Sequence, residues 1–296
     1  MKRIGLFILT NILVISAVTV ILQVLGIDNY LSSQGINYQS LLVICVVWGM
    51  AGSFISLLMS KWMAKKMMGL EIVSATGPYG AIVRKVHEIS RRAGLSEMPE
   101  VGIYHSPDVN AFATGPSKNN SLVAVSTGLL ERMNDEEAEG VLAHEVAHIA
   151  NGDMVTMALI QGVVNAFVMF LARVAVFAID QATRRDNDDG RGLGFFAHIF
   201  LVQIFQMIFG LLAAPVVMGF SRWREFRADA GSAKLVGKEK MIAALENLKR
   251  NYALQEQVKE EPSMASMKIS SKSAWVELFS SHPSLDKRIA ALRQSF

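Results

Sequence analysis

The run His144-Glu145-Val146-Ala147-His148 holds the residue types and the spacing that carry chemistry in this chain. Four apart on a helix, the two histidines project from one face, close enough to hold a single metal ion. The glutamate between them then stands beside the water such an ion would bind. Leu142, Val146 and Ile149 flank the pair with apolar side chains, so semi-buried imidazoles are expected, in need of a partner that one zinc ion supplies. The chemistry implied is metal-assisted peptide hydrolysis. A catalytic zinc takes three protein ligands and keeps a position for water, so a third ligand must come from another element. Glu225 and Asp229, again four apart, offer a carboxylate ligand and a hydrogen-bonding partner for a ligand histidine. The rival reading pairs both carboxylates with Arg222, Arg224 and Arg227 in a surface cluster, and spacing alone leaves the two open. His282 is the rival third ligand and His105 a weaker one. His87 reads as solvent-facing, and His198 falls inside an apolar segment away from this chemistry.

The elements that must position these residues lie in a greasy chain. It is 51% hydrophobic and 19% charged, with a mean hydropathy of +0.32, too apolar for an ordinary soluble enzyme. Four segments, 4–26, 40–59, 154–179 and 193–220, are apolar enough to span a bilayer, which takes about 20 residues each. The net charge of +3 gathers beside these segments and makes no case for nucleic acid. A lone cysteine, Cys45, excludes a disulfide framework and a thiolate metal site. The first segment follows Lys2 and Arg3 and is too long for a signal h-region, so it reads as an uncleaved anchor. Lys61, Lys65 and Lys66 follow the second segment and Arg222, Arg224 and Arg227 the fourth, while 27–39 carries no Lys or Arg. The positive-inside rule then places both termini and the histidine motif in the cytoplasm. The expected domains are 1–59 (two membrane helices), 60–153 (first part of a cytoplasmic domain), 154–220 (a membrane hairpin) and 221–296 (its second part).

Within 60–153 the pattern is α+β. Ile82, Val83, Val86, Ile89 and Ala93 recur at helical spacing over 78–93. Short strands are expected at 101–104, 111–114 and 122–126, with turn residues over 115–120. Asn134 caps a helix whose first turn is acidic, and Asn151-Gly152 ends it. The polar stretch 255–272 reads as a surface loop. Asn165 and Gln206 fall at similar depths in the hairpin and could bond to each other, and Arg173 reads as reaching for the far interface.

The histidine motif, Glu225-Phe226-Arg227-Ala228-Asp229, the run Asn110-Ala111-Phe112-Ala113-Thr114-Gly115 and the closing His282-Pro283-Ser284-Leu285-Asp286-Lys287-Arg288-Ile289 together resemble the HtpX family. These are bacterial membrane-bound zinc endopeptidases related to the CAAX prenyl proteases, and the likeness runs nearly end to end. It implies a mostly α, α+β membrane protein with about four transmembrane helices and a cytoplasmic gluzincin-like peptidase domain. It implies one Zn²⁺ per chain held by His144, His148 and Glu225, with Glu145 as catalyst and Asp229 beside a ligand. It also implies a bacterial inner-membrane location, a role in membrane protein quality control under stress, and self-cleavage.

Glu145 would take the water proton and return it to the leaving amine. His282 or Arg222 would aid the oxyanion. Asn110, Ala111, Phe112 and Ala113 could bind an extended substrate by strand addition, or form an ordinary edge strand. Six residues separate His148 from the third apolar segment, so the metal would lie about 10 Å along a helix from that boundary. Substrates would then be membrane proteins and unfolded polypeptides. The stretch 231–239 fails as a phosphate loop, because its glycines are one residue too far apart and Glu239 replaces Ser/Thr. No nucleotide is expected. The alternatives are a narrow CAAX-like processing protease and a non-catalytic scaffold stabilised by zinc.

Overall fold

A computed structural model describes residues 37–186, 192–259 and 280–295. The expected first span, 4–26, lies outside them, as does the 260–272 part of the expected loop. The chain divides into two compact units, Met1–Ile55 with Ala158–Val217, and Ser56–Met157 with Met218–Phe296. The described helices are α1 Tyr38–Met67, α2 Gly80–Arg92, α3 Thr127–Arg132, α4 Asp135–Asn151, α5 Asp153–Asp186, α6 Phe195–Val236, α7 Lys238–Lys259 and α8 Leu285–Gln294. The strands are β1 Glu71–Ile72, β2 Glu100–Tyr104, β3 Ala111–Ser117 and β4 Asn120–Ser126.

The described part of the first unit is helical, drawn from α1, α5 and α6, and these three are long and apolar enough to cross a membrane. Without water, each backbone group must be satisfied within its own segment, which leaves long helices as the form for such sequences. Tyr38, Leu42 and Cys45 of α1 pack with Phe170 of α5. Gly49 lets these backbones meet: a Cβ there would stand 2.7 Å from the Ala166 nitrogen. The expected Asn165–Gln206 bond does not form. Asn165 accepts from Gln161 on its own helix at 2.8 Å, because amides four apart already face each other. Arg173 likewise turns back on α5 and donates to the Met169 carbonyl at 3.0 Å.

The second unit is built on a four-stranded sheet in the order β1-β2-β4-β3. β2 and β4 run parallel, with Val101 opposite Val123 and Ile103 opposite Val125, and β3 pairs antiparallel to β4. Central β4 is buried along Ser121–Ser126, as expected of a strand covered on both faces. β3 is an edge strand. Its pairing continues to Ser117–Asn120 through an irregularity after Thr114, so the expected turn over 115–120 contracts to Lys118-Asn119. Gly115 absorbs the irregularity with φ 140°, a value open to glycine. Val83, Val86 and Ile89 of α2 and Leu142, Val146 and Ile149 of α4 share one core with β2 and β4. His87, expected in solvent, is half-buried and bonds the Pro99 carbonyl at 3.2 Å. α7 runs through Lys259, so 255–259 is helix rather than loop.

Candidate metal centre

The site begins at the caps of α4. Asn134 accepts from the Glu136 and Glu137 amides, and Glu137 accepts from the Asn134 amide, closing a capping box. Glu137 also receives Asn247 of α7 at 2.7 Å, which ties that helix to the start of α4. At the other end Gly152 takes φ 68° and stops the helix. Asp153, the first residue of α5, follows directly and sets its carboxylate against His148.

α6 crosses α4 closely beyond its apolar stretch. A Cβ on Gly231 would lie 2.8 Å from the Ala147 Cβ, and Ser232 donates to the Gly140 carbonyl at 2.9 Å. This approach carries Glu225 and Asp229, one turn apart, to the histidines. Both carboxylates are buried. Ligand atoms of His144, His148 and Glu225 all lie within 4.8 Å of one another, which makes them a group able to hold a metal ion.

Protons decide what belongs between them. His144 Nδ1 is 2.9 Å from Asp229 Oδ1, and His148 Nδ1 is 2.6 Å from Asp153 Oδ2. Each δ nitrogen thus donates to a carboxylate, which leaves both Nε2 atoms as lone-pair acceptors. Those two Nε2 atoms face each other at 3.1 Å, with Glu225 oxygens at 3.3 and 3.5 Å. Glu225 Oε1 is buried and finds no hydrogen bond. Acceptors converging on one point call for a cation, and the donor set of two imidazoles and a carboxylate suits zinc. Burial pushes the His148 imidazole down, but Asp153 and then Glu225 outweigh it and push it up to about 9 when a proton is the only cation available. Burial raises the Glu225 carboxyl, and the imidazoles of His144, His148 and His282 hold it well below the ordinary range.

Glu145 is buried on the motif helix with the two histidines. His282 is 59% exposed and places Nδ1 2.9 Å from Glu225 Oε2. Arg222 donates to the Ser280 carbonyl at 2.9 Å, two residues before His282. Of the arginines in the rival reading, Arg224 places Nε 3.8 Å from Glu225 Oε1, whereas Arg227 stacks on Trp223 at 4.7 Å from the ring centre and Arg222 is drawn to Ser280. Asn110 leads into β3, its backbone tied to Ser126 on both sides, and Ala111, Phe112 and Ala113 follow on the edge strand. His105 is exposed and His198 lies in α6, neither in the metal group.

Two residues of the site had no role in the sequence reading. Asp153 could have been suspected as an acid placed just past the helix-ending glycine. Arg288 carries no local signal. From α8 it grips Asp229 through Nε at 2.8 Å and Nη2 at 2.6 Å, and it reaches Glu225 at 3.6 Å. Burial raises the Asp229 carboxyl, while Arg288 and then His144 lower it, and the net result is low.

The comparisons with known proteins agree with this geometry. A model of peptidase family M48 matches residues 78–295. The chain belongs to peptidase family M48. It is 50% identical over 299 residues to a protein named Protease HtpX from Shewanella baltica, covering the whole of both chains. It is also 50% identical to a Protease HtpX homolog from Bacillus velezensis, over 98% of each. A crystal structure of Ste24p from S. mikatae superposes with a TM-score of 0.59 at 18% identity, over 97% of this chain and 66% of that one. That likeness concerns the fold alone. The HtpX resemblance holds along the full length, and this M48 protein is a membrane metallopeptidase, a hydrolase of α+β, mostly α, architecture.

Proposed function

We propose that this protein is a zinc endopeptidase that cuts misfolded or damaged membrane proteins at the cytoplasmic face of the bacterial inner membrane. The observation that carries the reading is the convergence of His144 Nε2, His148 Nε2 and the Glu225 carboxylate, with each imidazole held by a buried aspartate. These three would hold zinc, which when bound lowers the pKa of water and polarises a scissile carbonyl. Glu145 takes the proton of the attacking water and hands it to the leaving amine. Asp153 and Asp229 keep the imidazoles in the tautomer that presents Nε2. His282, exposed beside Glu225, is the donor available to the developing oxyanion. Arg222, engaged with Ser280, supports His282 instead of reaching substrate. Edge strand β3, entered at Asn110, receives an extended substrate backbone by strand addition, which reads shape more than side chains.

The peptidase parts, 60–153 and 221–296, flank the hairpin 154–220, and the basic residues after the second and fourth apolar segments favour a cytoplasmic site. With no phosphate loop in the sequence, the enzyme acts on segments already unfolded and needs no ATP. The resemblance to HtpX supports extending the proposal to quality control under stress and to self-cleavage. The test is cleavage of casein by detergent-purified protein, stripped with chelator and assayed before and after stoichiometric Zn²⁺. Zinc-restored cleavage that Glu145→Gln lacks supports the reading. Tight zinc binding without cleavage of casein or of an unfolded membrane protein overturns it.

A further inference from the structure

We propose that the last turns of α1, Met59–Met67, lie against the headgroup region of the bilayer through a built apolar face. At about 1.5 Å per residue, the 30 residues of α1 extend about 45 Å, past the roughly 30 Å of a hydrocarbon core. The final three turns therefore need surroundings of their own.

One side of those turns is bound to protein. Lys61 and Lys65, four apart, both pair with Glu100 at the start of β2, at 3.0 and 2.6 Å, and Lys61 also donates to Asn120 at 2.7 Å. These bonds set the rotation of the helix about its axis. The opposite side carries Met59, Trp62, Met63, Lys66 and Met67, at the i, i+3, i+4, i+7 and i+8 spacing of one face. All five are exposed, Trp62 by 58% and Met67 by 76%. The usual arrangement of a surface helix is thus largely reversed, with Lys61 and Lys65 turned to protein and the large apolar side chains turned out beside Lys66.

Continuity names what covers this face. Ile44, Trp48, Ile55, Met59, Trp62 and Lys66 follow one another at steps that keep a single line along α1, and all are exposed. The first three belong to the apolar stretch suited to lipid, and the line runs on without a polar residue until Lys66. A tryptophan near its end, followed by a lysine, is the order of an interfacial anchor: an amphipathic ring at the headgroup level, then an ammonium able to reach anionic phosphates. Methionines suit a disordered boundary because they adapt their shape. An unfolded polypeptide could also favour a methionine-rich face, but continuity with the lipid-facing line favours the bilayer.

The test uses the full-length protein in vesicles of phosphatidylethanolamine and phosphatidylglycerol. Cys45 is buried, so an introduced thiol takes the label. Met63→Cys and Met67→Cys, each carrying an environment-sensitive fluorophore, are compared with Glu97→Cys on an exposed loop. The expected result is loss of emission from the first two with nitroxide-bearing lipid and little loss with aqueous iodide, the reverse holding for Glu97→Cys. If Met63→Cys and Met67→Cys respond like Glu97→Cys, the proposal is overturned. Shielding from iodide that appears only when casein is added, without quenching by lipid, overturns it in favour of a polypeptide-docking face.

Discussion

His144 and His148 each spend one ring nitrogen on a carboxylate, and everything else in the centre follows from that. With Asp229 and Asp153 holding the δ protons, both ε nitrogens are aimed inward at one point, where a proton or a metal ion can sit between them. Asp153→Asn or Asp229→Asn should therefore weaken zinc binding by about 10- to 100-fold while leaving the ligands in place, read by competition with a chelator. Glu145→Gln should keep zinc affinity near wild type and lose about a hundred- to ten-thousandfold in kcat, the usual size of a general acid–base contribution. The His148 imidazole sets a pH dependence whose sign differs with loading. Without metal its pKa is raised from 6.5 to about 9 in the folded state, so its contribution to stability is complete below 6.5 and is lost as pH rises through 9. Zinc entering between His144, His148 and Glu225 would have to displace that proton. Calorimetric titration at pH 7.5 in buffers of different ionisation enthalpy should register release of about one proton per zinc bound; a buffer-independent heat would contradict the assignment.

At the level of elements, α4 is placed by its ends and α6 by a missing side chain. The capping box at Asn134 and the left-handed Gly152 define a helix whose length puts His148 one residue-turn from Asp153. Gly231 lets α6 approach Ala147 closely enough for Glu225 to reach both imidazoles. Gly231→Val should separate the two helices and lower zinc affinity and melting temperature together, whereas Asn134→Ala, far from the metal, should cost about 1 kcal/mol of stability with zinc affinity intact. Comparing the two variants distinguishes helix placement from helix stability.

Across the whole chain, the centre draws His144, His148 and Asp153 from one stretch and Glu225, Asp229, His282 and Arg288 from another, all within the second unit. An ion held between them links the stretches, so it stabilises the fold by mass action, about 2.7 kcal/mol at a hundredfold excess over its Kd. Chelation should lower the melting temperature of wild type and of Glu145→Gln alike, since Glu145, the proposed general base, is outside the group that would hold the ion. Glu225→Ala should melt low and be insensitive to chelator; a full chelator response there would remove Glu225 from the ligand set.

Local rules were enough to read the motif helix, its Asn134 and Gly152 ends, the short strands β2 and β4, and the three described apolar helices, because caps, strand propensity and hydropathy act over a few residues. The i, i+4 spacing of Glu225 and Asp229 was equally visible, but not which neighbours they would meet. Arginines at 222, 224 and 227 are closer in sequence than any histidine, and only the crossing at Gly231 turned the carboxylates to the imidazoles. The same holds for Arg288, whose partner Asp229 lies 59 residues away, and for β3, which is an edge strand because β2 and β4 pair in parallel across it in sequence. Spacing determines which side chains share a face; packing over long separations decides what that face touches, and in a buried site that contact sets protonation and charge.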